Sequence, residues 1–79
     1  MPRFYFDIDD GSGLLLDDEG IETANLESAR LKAVEAVRSI ARDLVPTGDR
    51  HVVSADIRDE SGRVRIKATL TLTIETQPD

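Results

Sequence analysis

The most regular pattern in the chain is an alternation of apolar and polar residues from Val64 to Glu75. Successive side chains of a β-strand point to opposite faces, whereas a helix would scatter these apolar residues around its circumference. The apolar residues are Val64, Ile66, Ala68, Leu70, Leu72 and Ile74. The stretch therefore predicts a β-strand with its even-numbered residues in the core and its odd-numbered residues on an open face.

Residues 3–9 also alternate and predict the first strand, in which Phe4, Phe6 and Ile8 share the core face. We expect Phe6→Ala to be the most damaging single substitution, at about 3–5 kcal/mol if the ring is fully enclosed. An Asp-Asp-Gly-Ser-Gly segment supplies the residues of a tight turn. Residues 14–16 then predict a short returning edge strand.

Apolar residues at helical spacing predict one helix over residues 26–44. Asn25 is the expected N-cap, and Glu27 places negative charge in the first turn, where the helix dipole favours it. Pro46 has no N–H to donate and is expected to stop the helix. The apolar stripe comprises Leu26, Ala29, Ala33, Val37, Ile40 and Leu44.

After a loop at 47–50, residues 53–58 predict a third strand, and a glycine-containing turn at 59–63 leads into the long last strand. The order is therefore strand, strand, helix, strand, strand. A single helix covers only one face of a sheet, so we predict one α+β domain over residues 1–79, with a four-stranded antiparallel sheet and one helix packed on one face. We expect the strand order 2-1-3-4, in which every neighbouring pair is antiparallel.

Composition narrows the function classes. The chain has no cysteine and a single histidine, His51, which excludes disulfides, thiolate zinc sites and multi-histidine metal sites within one chain. The net charge of −6 and the dispersed basic residues argue against binding of a phosphate backbone. No apolar run approaches membrane-spanning length and the N-terminal sequence lacks a secretion signal, so we expect a cytoplasmic protein that does not bind a membrane.

Acidic residues around the first hairpin are the most conspicuous candidate for chemistry. Counted from Asp7 as the first place, this segment loosely resembles a calcium loop. Such a loop, however, requires an oxygen ligand at the fifth place and glycine at the sixth, where this chain has Gly11 and Ser12. Turn formation and protection of a sheet edge explain the same carboxylates. We expect no catalytic residue, no metal and no cofactor, and keep a metal-dependent factor or an enzyme using this cluster as an alternative. The cluster comprises Asp7, Asp9, Asp10, Asp17, Asp18 and Glu19.

The open face of the sheet is the candidate partner surface. Aromatic and basic sheet faces bind single-stranded nucleic acid in other folds, which is a second alternative that one tyrosine and a negative net charge disfavour. If the last strand lies at the sheet edge, its backbone offers a template for another strand. We therefore expect a non-enzymatic binding or regulatory module that forms a homodimer or binds an unidentified protein partner. The candidate surface comprises Tyr5, Arg65, Lys67, Thr69, Thr71 and Thr73.

The chain also resembles a known family through three segments. These are Met-Pro-Arg-Phe-Tyr-Phe-Asp-Ile-Asp-Asp-Gly at 1–11, Leu-Leu-Leu-Asp-Asp-Glu-Gly-Ile-Glu at 14–22 and Leu-Glu-Ser-Ala-Arg at 26–30. Together with the turn at 59–63 they resemble a family of short bacterial proteins, common in rhizobia and related soil bacteria, that is catalogued as a domain of unknown function. The resemblance implies a stand-alone bacterial domain, and it implies no activity and no catalytic residue.

Overall fold

Residues 1–44 and 48–78 are described by a computed structural model, in which strands and a helix form an antiparallel α+β fold. The sheet order is β2-β1-β4-β5, and β3 pairs with β1 beside β2. The predicted fold class and the predicted strand order are therefore confirmed, with one further short strand. The elements are β1 (Arg3–Asp9), β2 (Leu14–Leu15), β3 (Ile21–Glu22), α1 (Leu26–Asp43), β4 (Arg50–Arg58) and β5 (Val64–Thr73).

The edge beside β1 is a broken strand. β2 pairs with the end of β1 at Ile8 and Asp9, and β3 pairs with its start at Arg3 and Phe4. Residues 16–20 leave the ladder between the two. The predicted returning strand is thus shorter than expected, because Leu16 already lies outside it.

The helix follows the prediction closely. The side chain of Asn25 accepts a hydrogen bond from the backbone N–H of Ser28 at 2.9 Å, so Asn25 is the N-cap. The helix ends at Asp43, with Leu44 as an extended C-cap. Pro46, which was expected to stop the helix, lies outside the described residues. Within the described residues no helix is long and apolar enough to cross a membrane.

The core is small and lies between α1, β1 and β4. Phe4 is 4% exposed, whereas Phe6 is only partly buried. Phe6 and Ile21 line an open groove beside the helix, because the edge strand is interrupted beside the middle of β1. The expectation that Phe6 is the enclosed ring is therefore wrong, and Phe4 takes that place. The buried residues are Phe4, Ala29, Ala33, Val37, Val53, Ala55 and Ile57.

The last strand reaches beyond the part of the sheet that β1 flanks. β4 begins at Arg50 rather than at Val53, but β1 pairs with it only from Ser54 to Arg58. The start of β4 (residues 50–53) and the end of β5 (residues 70–73) therefore project as a two-stranded ribbon. This projection fits the elongated shape, with extents of 56 × 22 × 19 Å.

The predicted burial of even-numbered residues in the last strand is only partly right. Ile66 and Ala68 pack against the core. Leu70 and Leu72 lie beside Ala41 and Leu44 at the end of the helix, yet they are 39% and 47% exposed because β5 is an edge strand. Ile74, just beyond β5, is 41% exposed. Val64 is also exposed, since a bulge at the Ile57/Arg58 step of the ladder places Val64 opposite Arg58, on the other face. Much of the regular apolar row thus remains available at the surface.

Candidate docking surface

The outer edge of β5 has no partner strand in the described part of the chain. The backbone N–H of Ile74 donates to the carbonyl of Asp49 at 2.7 Å, which shows that Ile74 faces β4. In a regular antiparallel ladder, residues of the same parity direct their backbone groups to the same side. The register is regular from Arg50 opposite Thr73 to Ile57 opposite Ile66. The odd-numbered residues Lys67, Thr69, Thr71 and Thr73 therefore direct their N–H and C=O groups outward.

An apolar groove lies beside this edge, between β5 and α1. Its volume is about 380 Å³, and Val34, Ile66 and Leu70 lie among its apolar lining residues. Arg38 and Lys67 also line it, so that cations border an apolar floor. An edge with unpaired backbone groups and an adjacent apolar floor offers both kinds of contact that a docked strand makes.

The residues expected on the open face divide into two groups. Lys67, Thr69, Thr71 and Thr73 lie together on the edge strand. Tyr5 lies on β1, two strands away, and its ring centroid is 5.1 Å from the guanidinium carbon of Arg58.

Arg65 lies at the start of β5, next to the bulge. Its guanidinium is 3.5 Å from a carboxylate oxygen of Asp59. The structure thus assembles the threonines and Lys67 into one surface, places Arg65 at its end, and separates Tyr5 from it.

An ion pair on the open face involves Asp7 and Arg58, neither of which was expected to act as a site residue in this way. The carboxylate of Asp7 accepts hydrogen bonds from Nε of Arg58 at 2.6 Å and from Nη2 at 3.1 Å. Asp7 is 7% exposed, and its hydrogen bonds with Arg58 hold its pKa below the usual value although burial opposes this. Arg58 also donates to the carbonyl of Asp17 at 2.9 Å, which ties β4 to the loop of residues 16–20. Strand parity places Asp7 and Arg58 on the polar face, but only the register of β1 on β4 makes them neighbours, so the sequence alone did not reveal the pair.

Asp17 completes the broken edge strand with its side chain. One carboxylate oxygen accepts from the backbone N–H of Phe6 at 3.0 Å, and the other accepts from Glu19 and Gly20, each at 3.1 Å. Burial on its own would raise the pKa of Asp17, but these N–H donors hold the pKa below its usual value. Asp17 thus supplies the acceptor that a strand partner would otherwise give to β1.

Other carboxylates of the acidic cluster build turns. One oxygen of Asp10 accepts from the backbone N–H groups of Ser12 and Gly13 and from the Ser12 hydroxyl, and these hydrogen bonds lower the pKa of Asp10. Asp9 accepts from the N–H of Gly11 at 2.9 Å. Over residues 1–44 and 48–78, no group of three or more histidine or carboxylate side chains is placed to hold a metal ion.

These features define a class: an α+β domain with one helix on an antiparallel sheet and an open edge on its longest strand. Residues 3–71 match the family described as Domain of unknown function (DUF6894), and the chain belongs to this family. The matched range runs from the start of β1 into β5, so the resemblance to an uncharacterised domain family is confirmed. No curated protein and no solved structure matches the chain.

Proposed function

We propose that the domain is a non-enzymatic binding module whose docking element is the outer edge of β5. A strand of another polypeptide chain adds to the sheet there, and the homodimer expected from the sequence is one form of such docking. The observation that carries this proposal is the outward direction of the backbone groups of Lys67, Thr69, Thr71 and Thr73.

The distribution of edge protection supports docking at one half of the strand. Natural edge strands are usually shielded by charges, prolines or bulges. In β5 the bulge, Arg65 and Lys67 lie in the first half. Residues 68–73 read Ala-Thr-Leu-Thr-Leu-Thr and carry none of these devices.

Docking would combine backbone hydrogen bonds at the edge of β5 with burial of apolar side chains beside it. Each backbone hydrogen bond formed at the edge contributes only about 0.5–1.5 kcal/mol, because the same groups bond to water beforehand. Burial of the exposed side chains of Leu70 and Leu72 adds the apolar contribution to the free energy of docking.

The state of the carboxylates supports a role without catalysis. Acid–base catalysis by paired carboxylates needs neighbouring groups whose pKa values are pushed apart. Asp7 and Asp17 instead both have lowered pKa values and are both occupied by N–H donors. The cytoplasmic location expected from the sequence stays a prediction.

Docking at the edge is tested by light scattering over a concentration series with the variant Thr71→Pro. Proline removes the outward N–H of residue 71 but none of the N–H groups that bond to β4. We expect wild type to show a mass that rises towards a dimer, and Thr71→Pro to remain a monomer with unchanged circular dichroism. Thr76→Pro, beyond the strand, is the matched control and should behave as wild type.

Thr71→Lys provides a second variant in case proline disturbs the fold, since edge lysines discourage strand addition. A wild-type protein that stays monomeric throughout the series, or two edge variants that associate as wild type does, would overturn the proposal for self-association.

A further inference from the structure

We infer that the docked strand is β5 of a second copy, running antiparallel to the first and centred on Leu70. This inference rests on the proposed docking at the edge of β5. The regular part of this segment begins at Ile66, just after the bulge, and ends at Ile74, one residue past the end of β5, whose N–H still donates to the carbonyl of Asp49. Leu70 is the midpoint of this regular part. A two-fold axis at Leu70 therefore pairs residues 66–74 along their whole length with the same residues of the second copy.

The sequence is self-complementary about that axis. On the apolar face, Leu70 meets its own copy, while Ala68 and Ile66 lie opposite Leu72 and Ile74 of the partner subunit. On the polar face, Thr69 lies opposite Thr71 of the partner subunit. Every pair therefore matches apolar with apolar or polar with polar, as the packing of one continuous sheet face requires.

Charge favours the same register. Arg65 and Lys67 lie near the start of the strand, and Glu75 lies just after its end. Antiparallel pairing about Leu70 places Glu75 of the partner subunit opposite Arg65 and keeps the two copies of Lys67 far apart. Cross-strand pairs of opposite charge contribute about 0.2–1 kcal/mol, and like charges directly opposite destabilise.

The same arrangement brings the helices together. α1 lies mainly over β4 and β5. Two strand spacings separate the helices across the new seam, which places their axes about 10 Å apart, within reach of direct helix packing. Leu31 and Val34, which are 60% and 39% exposed, line the outer flank of α1. One partner thus covers the exposed apolar residues of both β5 and the helix flank.

Under a two-fold axis, that helix flank brings together one pair of opposite charges and one pair of like charges. Glu35 and Arg42 both line the flank, on either side of Arg38. Arg38 and Leu70 line one groove, so the axis passes near Arg38. An antiparallel helix pair centred there brings Glu35 towards Arg42 of the partner subunit, and brings the two copies of Arg38 near each other.

Disulfide trapping tests this register on a background without cysteine. Even-numbered residues direct their backbone groups to β4, so across the seam they form non-hydrogen-bonded pairs with Cα atoms about 4.5 Å apart, a separation that a disulfide spans. Leu70→Cys should therefore give a covalent dimer under mild oxidation. Ala68→Cys alone and Leu72→Cys alone should not, because each residue lies about 13 Å along the strand from its own copy.

An equimolar mixture of Ala68→Cys and Leu72→Cys should give the covalent dimer that neither variant gives alone. Leu14→Cys, an exposed leucine at the opposite sheet edge, measures random collision. We expect the mixture to exceed this control by about tenfold or more, as a preformed contact raises effective concentration. Light scattering of each reduced variant establishes that the dimer persists.

The outcomes separate the two proposals. A dimer by light scattering that is trapped by Thr71→Cys and not by Leu70→Cys or the mixture would overturn the register and leave edge docking standing. A wild-type protein that is monomeric, with no variant trapped above the Leu14→Cys control, would overturn both the register and self-association at this edge, and would leave only docking of a strand from a different polypeptide.

Discussion

Replacing Asp7 by asparagine should weaken the folded state through a single ion pair. The carboxylate of Asp7 is bound by two nitrogens of Arg58 and by the backbone N–H of Asp17 at 3.0 Å. Asparagine has nearly the same shape but no charge, and its amide group turns a donor towards a site where only donors approach. The change therefore removes the ion pair and leaves at least one N–H poorly bonded.

The loss of stability expected for Asp7→Asn depends on how deeply the side chains of Asp7 and Arg58 are buried. Hydrogen bonds to charged groups contribute about 1.5–3 kcal/mol, and breaking a fully buried pair costs about 3–5 kcal/mol. The Asp7 side chain is 9% exposed, but that of Arg58 is 28% exposed, so water can partly solvate Arg58 after the change. We expect Asp7→Asn to lower the free energy of unfolding by about 2–3 kcal/mol at neutral pH.

The pH dependence has a definite sign. Because Arg58 lowers the pKa of Asp7 in the folded protein, the ion pair stabilises fully above the unfolded pKa of about 3.9. That contribution is lost as the pH falls through the lower folded pKa. The difference between wild type and Asp7→Asn should therefore stay constant from neutral pH to about pH 5 and shrink on further acidification.

Urea unfolding followed by circular dichroism, at one fixed protein concentration, measures this difference. Asp56→Asn is the matched control, because Asp56 lies opposite Asp7 on the same face. Its carboxylate is 3.3 Å from the exposed amine of Lys67, and loss of such a pair changes stability by less than about 1 kcal/mol. An Asp7→Asn variant as stable as Asp56→Asn, or a difference that does not shrink in acid, would refute the reasoning.

Other expected outcomes concern the core, a turn and the helix flank. Phe4→Ala should lower the free energy of unfolding by about 3–5 kcal/mol, clearly more than Phe6→Ala does. A larger effect of Phe6→Ala in urea unfolding would contradict the assigned core. Gly20→Ala should cost about 1–3 kcal/mol, because Gly20 has φ +74° and a Cβ there would meet the Phe4 carbonyl at 3.0 Å. Gly13→Ala, with open space around it, should change the urea midpoint little. Equal effects of Gly20→Ala and Gly13→Ala would contradict the strain expected at residue 20. Arg38→Met should tighten self-association in sedimentation equilibrium by removing like charges near the axis, whereas weaker association would contradict the helix pairing.

Much of the fold follows from local sequence. Apolar spacing and the Asn25 cap locate the helix, and alternation together with the two turns gives the strands and their order. Each of these patterns involves residues close together in the chain, so tertiary contacts change the predicted elements little. The bulge beside Arg65 and the carboxylate of Asp17 that replaces a strand partner are tertiary features, and neither has a local signature.

The candidate surface was only half predictable for the same reason. Strand parity identified Thr69 and Thr71 as edge or open-face residues. It assigned Leu70 and Leu72 to the core, because parity gives the face of a sheet and not whether the strand lies at the sheet edge, where its outer side stays open. The end of the helix reaches Leu70 and Leu72 through Ala41 and Leu44, but no described element covers the outer side of β5, and that fact depends on the strand order.

Residue-resolved amide hydrogen exchange at low and high protein concentration tests strand docking at β5 most directly. The N–H groups of Lys67, Thr69, Thr71 and Thr73 should exchange rapidly in dilute protein and become protected as concentration rises. The N–H groups of the intervening even-numbered residues, which face β4, should be protected at both concentrations. This alternating, concentration-dependent pattern is the predicted result. Exchange of the odd-numbered amides that does not change with concentration would contradict self-association through the edge of β5.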